Sequence, residues 1–104
     1  MRKRALPIVN FRLDGPDQAQ HSASGREGET LLLLVKHGKA GVTAFAFHGG
    51  PAFRLSAYIK NLRDMGLDIE TLREMHDCGW HGRYVLHSPV TVLSVMEMRR
   101  NDAA

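Results

Sequence analysis

The residues best equipped for chemistry in this 104-residue chain lie in two places. One is His76-Asp77-Cys78 followed by His81. Imidazole and thiolate ligands two or three positions apart can share a metal ion, and His48 or His87 would be available to complete the set. The spacing matches no strong zinc pattern and Cys78 is the chain's one cysteine, so the expectation is no metal and no cofactor. The other place is the stretch holding Arg54, Ser56, Ala57, Lys60 and Asn61. Its cationic, hydroxyl and amide groups suit hydrogen bonding to a polar surface better than bond making. Catalysis is disfavoured throughout. No phosphate-cradling glycine loop is followed by Lys-Ser/Thr, no carboxylate pair sits in an evident pocket, and Cys78 has a histidine neighbour only in a turn.

Those groups must be positioned by a small fold, since 104 residues allow one domain at most. Fourteen Lys and Arg against 11 acids give a net charge of +3, with an isoelectric point near 9.4. That balance permits an anionic partner without demanding one. A lone cysteine rules out an internal disulfide and points to a reducing, cytoplasmic setting. The start MRKRALPIVNFRL has no continuous apolar run of signal-peptide length, and Leu31 to Val35 is too short to span a bilayer. No membrane role is expected.

Residues 1–25 read as a basic N-terminal arm and flexible linker: Arg2, Lys3 and Arg4 at the tip, a short strand over Pro7–Leu13, and then polar, turn-rich DGPDQAQHSASGR. Ser24 with Glu27 has capping-box spacing, which predicts a first helix over about 26–37 ended by Gly38. Leu31, Leu34 and Val35 share one face, and Leu32 and Leu33 widen it. Val42–Phe47 predicts a short second helix capped by Thr43 and stapled by Val42 and Phe47, although its β-branched and aromatic content leaves a strand open. His48-Gly49-Gly50 turns the chain, and Pro51 opens a third helix whose Leu55, Tyr58, Ile59 and Leu62 lie on one side. Gly66 stops that helix, with Leu67 folding back on Leu62.

Beyond it, Leu67–Thr71 and Gly82–His87 read as two strands of a hairpin with its tip at residues 75–82. Residues 89–104 open with VTVLSVMEMRR after Ser88-Pro89, a strand by its valines or a helix by its cap and tail, and a dimer contact in either form.

Three helices and a hairpin give the order of a winged helix-turn-helix, an α+β fold with a C-terminal β-hairpin wing, over residues 26–88. Gly41-Val42-Thr43-Ala44, Arg54-Leu55-Ser56-Ala57, Leu62-Arg63 with Gly66, and Arg83-Tyr84-Val85-Leu86 together resemble the small winged-helix domains of bacterial and phage proteins. Tyr58 departs from the pattern, where a second arginine is usual.

The resemblance implies DNA binding, and the residues supply a physical reading of it. A major groove admits a helix that buries one face and presents short polar and cationic groups on the other. Arg54, Ser56, Lys60 and Asn61 are suited to base edges and Ala57 to close approach, while Thr43 and Lys39 suit a phosphate. Trp80, His81 and Arg83 favour a wing contact with DNA, against the acids Asp68, Glu70, Glu74 and Asp77 of the first wing strand. The expected function is a cytoplasmic DNA-binding regulator or phage or prophage accessory factor, acting on double-stranded DNA as a homodimer. The competing expectation is a protein-protein interaction module on the same scaffold, an inhibitor or assembly adaptor.

Overall fold

Every second residue of the N-terminal stretch is apolar, and the chain uses that period to build a strand. In a computed structural model that describes residues 6–16, 18–47, 52, 54–76 and 79–98, Leu6–Leu13 forms β1, with Val9 and Phe11 wholly buried. Strand β1 is the middle of an antiparallel three-stranded sheet, flanked by β2 (Gln20–Ser24) and β5 (Val90–Met98). The β2 register runs from Ile8 opposite Ser24 to Arg12 opposite Gln20. Strand β5 runs from Leu6 opposite Met98 to Leu13 opposite Val90, with a bulge that leaves Leu93 without a partner on β1.

Helix α1 (Gly25–His37) follows β2 directly and buries Leu31 and Leu34 against this sheet. At Gly28 the two approach so closely that a Cβ would stand 2.8 Å from the Ala23 carbonyl oxygen. Gly38, at φ 54°, ends α1 as the sequence suggests, and its N–H donates to the Leu34 carbonyl. The capping box does not form. Ser24 makes no side-chain cap bond, and Glu27 instead accepts a hydrogen bond from Asn61, 34 positions on.

Helix α2 (Leu55–Asp64) packs on α1 through Leu55, Ile59 and Leu62. Full burial of each such side chain contributes about 1.5–3 kcal/mol. Gly66 (φ 105°) turns the chain out of α2, and the Leu67 N–H returns to the Leu62 carbonyl at 3.4 Å, as the sequence predicts. Strands β3 (Ile69–His76) and β4 (Gly79–Leu86) then form an antiparallel hairpin, in register from Ile69 opposite Leu86 to His76 opposite Gly79. Val42 adds a one-residue third strand by exchanging two backbone bonds with Tyr84, at 2.8 and 2.9 Å.

The expected three-helix winged helix-turn-helix with a C-terminal wing is therefore corrected: the described residues hold two α-helices and five strands in two antiparallel sheets. The second helix is reduced to one 3-10 turn, Ala44–Ala46. Thr43 does cap it, accepting the Phe45 N–H, and Val42 and Phe47 are buried. However, the Ala44 carbonyl takes the Ala52 N–H at 2.8 Å, so that acceptor is not available for helix growth. β-Branched and aromatic residues have little helix preference to oppose this.

The second departure is the stretch 14–26, which is not all linker, since Gln20–Ser24 is paired along β1. Its inward face needs only Ala23, 1% exposed, so it carries almost no hydrophobic signal. Backbone ladder bonds to β1 and a ring contact of His21 with Phe11 (5.8 Å between centroids) order it instead. Third, Val90–Met98 is a strand that returns to β1, so the wing is followed by a further element and is not C-terminal.

Candidate nucleic-acid interface

With Leu55, Ile59 and Leu62 turned inward, the 3.6-residue period puts Ala57, Lys60 and Asp64 on the outward side of α2. Ser56 and Arg63 then flank the wing, and Asn61 flanks α1. Lys60 pairs with Asp64 at 3.0 Å, both largely exposed, and Asn61 donates to Glu27. Arg54 and Ser56 are exposed, and neither side chain has a hydrogen-bond or ion-pair partner among the described residues. Free donors thus concentrate at the N-terminal half of α2, the end that enters a groove first in helix-turn-helix docking. Beside them runs a groove of about 270 Å³ lined by Ala44, Phe45, Leu55, Ser56, Gly82 and Tyr84. Phe45 at its mouth is 70% exposed.

The wing sorts its charges by strand alternation. Ile69, Thr71, Arg73 and Met75 share a face with Tyr84 and Gly82, and this face borders α2. There Arg63 donates to the Ile69 carbonyl (3.1 Å from Nε) and to Thr71 Oγ1 (2.9 Å). Glu70, Leu72 and Glu74 share the other face with Val85, Arg83 and His81. Glu74 accepts from Arg83 Nε at 2.5 Å and from His81 at 2.9 Å, and Glu70 meets His87 at 2.7 Å. The Arg83 guanidinium, and secondarily the His81 hydrogen bond, holds the Glu74 carboxyl below the usual range, while Glu74 raises Arg83. The conflict posed by an acidic wing strand resolves locally: Glu70 and Glu74 turn away from α2 and toward basic partners.

Of the residues singled out from sequence, Ser56, Ala57 and Lys60 lie along the outward side and wing flank of α2, and Arg54 is its N-cap residue on the opposite flank. Asn61 sits beside them, engaged by α1. Lys39 is exposed on the 3-10 turn Gly38–Ala40, next to the Ala40 carbonyl that accepts Arg83 Nη1 at 2.9 Å. Thr43 is half-buried, its hydroxyl oxygen occupied by the Phe45 amide at 3.3 Å. Arg83 lies with Glu74 on the other face of the wing, and His81, which also meets Glu74, borders the groove beside Ser56 and Gly82. The Trp80 side chain, the arm Arg2–Arg4, the turn His48-Gly49-Gly50-Pro51, and Asp77 and Cys78 of the suggested metal cluster lie outside the described residues. Among the described residues no His, Cys, Asp or Glu group is arranged for a metal, and no helix is long and apolar enough to cross a membrane.

Thr71, Arg73 and Phe45 were not singled out from sequence. For the first two the available signal was the alternation starting at Ile69, which puts them on the face turned to α2. Phe45 carried no such signal, because an aromatic flanked by alanines reads as core.

The chain is similar to the cytochrome c biogenesis ATP-binding export protein CcmA of two strains of Xanthomonas oryzae pv. oryzae, at 26% identity over 96 residues. The match covers 85% of this chain and 45% of those proteins, so the chain spans less than half the length of the curated relatives it matches. No solved structure matches it. The model of the winged helix domain family matches residues 20–96, a stretch holding β2, both helices, the wing and most of β5. On that match the chain belongs to the winged helix domain family, a helix-turn-helix type of fold that suggests DNA binding.

Proposed function

We propose that this chain binds duplex DNA as a transcriptional regulator or as a phage or prophage accessory factor. The N-terminal half of α2 enters the major groove, and the α2-facing side of the wing, with Thr71 and Arg73, lies along the flanking backbone. The carrying observation is that Arg54 at the N-cap of α2 and Ser56 in its first turn are exposed and without a partner among the described residues, near Ala57 and Lys60 on a helix whose opposite face is buried. A homodimer working in the cytoplasm, without catalysis, belongs to the same proposal. The ATP binding in the relatives' name is not carried over, since these 104 residues have no glycine loop followed by Lys-Ser/Thr.

One observation favours a protein-interaction reading instead: Phe45 beside the groove and Met75 on the wing are 70% and 78% exposed, and exposed large apolar side chains suit a protein partner. Salt separates the two. DNA affinity carried by several cations falls steeply and linearly in log salt, while an apolar protein contact responds little. Selection from random duplexes followed by anisotropy titration over a salt series is the test. Expected are an enriched sequence and a steep negative slope. Lys60→Ala should flatten that slope by roughly one, if Lys60 exchanges Asp64 for a phosphate. A flat salt response, or no enrichment, would sink the DNA reading.

A further inference from the structure

Three strand edges of this fold have no neighbour among the described residues: β2, β3 and β5. An open edge is a row of unpaired backbone donors and acceptors, and proteins blunt such rows with shortness, polarity or charge. Strand β2 has five residues of the polar sequence QHSAS. Strand β3 carries Glu70, Arg73 and Glu74. Strand β5 has nine residues, VTVLSVMEM, with Glu97 as its one charge. Three of the large hydrophobic side chains most exposed to solvent lie on it: Leu93 at 44%, Val95 at 48% and Met96 at 58%. Besides Glu97, the edge is interrupted by the bulge at Leu93, which divides it and leaves Ser94–Met98 as a regular segment in unbroken register with β1.

We propose that a second copy of this chain adds antiparallel to β5 over Ser94–Met98, with the two-fold axis at Met96, joining two three-stranded sheets into one of six. The segment is self-complementary in that register. Met96 stands opposite Met96 of the second copy on one face; on the other, Val95 stands opposite Glu97 of the second copy and diagonal to its Val95, so one face gains a directly opposed apolar pair and the other a diagonal one. A parallel arrangement would instead set Glu97 beside its own symmetry mate. Two-fold pairing is also the commonest closed symmetry; it consumes the β5 edge of both copies and leaves the short polar β2 edges outermost. A standard interface engages about 20–30 residues a side, so a five-residue strand pair is reversible and concentration-dependent. The inference rests on the homodimer of the proposed function and gives it a register, and its tests read the oligomer, so it can fail while DNA binding holds.

Sedimentation of the full chain from micromolar to millimolar concentration is the direct test. The mass is expected to climb from 11.6 kDa toward twice that value. Val95→Lys and Met96→Lys, two substitutions at exposed positions, should each hold the monomer mass with an unchanged circular dichroism spectrum. In a Cys78→Ser background, Met96→Cys should form a covalent dimer on oxidation and Val95→Cys should not. Opposed residues fall within disulfide reach, whereas diagonal ones at about 7–8 Å do not. A wild-type chain that stays at 11.6 kDa throughout, lysine variants that dimerise like wild type, or equal cross-linking at both positions would overturn the proposal.

Discussion

Arg54 and Asn61 lie two turns apart on α2, and sequence reasoning gives them the same task. The structure gives them different surroundings: Arg54 has no partner among the described residues, and Asn61 donates to Glu27 on α1. Under the DNA reading this predicts a split. Arg54→Ala should weaken binding by about 1–3 kcal/mol and relax preference at one base position. Asn61→Ala should leave affinity close to wild type and lower folding stability by about 0.5–1.5 kcal/mol, the usual worth of one hydrogen bond. Anisotropy and urea midpoints read the two effects separately, and equal losses of affinity would show that Asn61 exchanges Glu27 for a base. The outward side of α2 was legible because helical periodicity is a local property. Whether a residue on it is already engaged was not, since its partner is 34 positions away and spacing says nothing of such pairs.

Legibility among the elements follows the same division. Helices α1 and α2 announced themselves through apolar stripes and glycine stops, and the wing through alternation. Strand β2 did not, since its buried face is a single alanine and its order comes from backbone bonds to β1. The 3-10 turn at Ala44–Ala46 kept the cap and the two staple residues of a helix but lost the length, because Ala52 claims the Ala44 carbonyl. The wing's two faces were readable in principle once Ile69 was taken as buried. What could not be read is that Glu74 meets Arg83 and His81, since the acid and the two basic residues pull in opposite directions as isolated charges.

The seating of α1 on β1 and β2 shows how one missing atom fixes an element. Alanine in place of a helical glycine normally stabilises by about 0.5–1 kcal/mol. At Gly28 the added Cβ would stand 2.8 Å from the Ala23 carbonyl oxygen and 3.3 Å from that of Pro7, both backbone atoms that cannot swing aside. Gly28→Ala should therefore destabilise by about 1–3 kcal/mol, as overpacking does. Gly15→Ala, with nothing within 4 Å, is the neutral control. Urea midpoints of the two variants decide it, and a stabilised Gly28→Ala would mean that α1 sits farther from the sheet.

Over the whole chain, the elements are tied together by carboxylates whose protonation is depressed. The Thr91 hydroxyl first, and then Arg12, lowers Asp14, joining the turn after β1 to β5. Arg83 first, and then His81, lowers Glu74, while Arg83 also reaches the Ala40 carbonyl and so fastens the wing to the end of α1. A carboxyl with a folded pKa below its unfolded one binds fewer protons when folded, so stability rises with pH between the two values. Its contribution is complete above the ordinary carboxylate pKa of about 4, and it is lost as pH falls through the lower folded value. Urea midpoints should thus hold steady above that range and drop on further acidification. Glu74→Gln should flatten part of the drop by removing one of the two titrations, and it should leave the wing less firmly held at neutral pH. An acid limb as steep in Glu74→Gln as in wild type would show that Glu74 titrates alike in folded and unfolded chains, and that the wing is held without it, by the Val42–Tyr84 backbone pair, the Arg83 bond to Ala40 and the Arg63 bonds to Ile69 and Thr71.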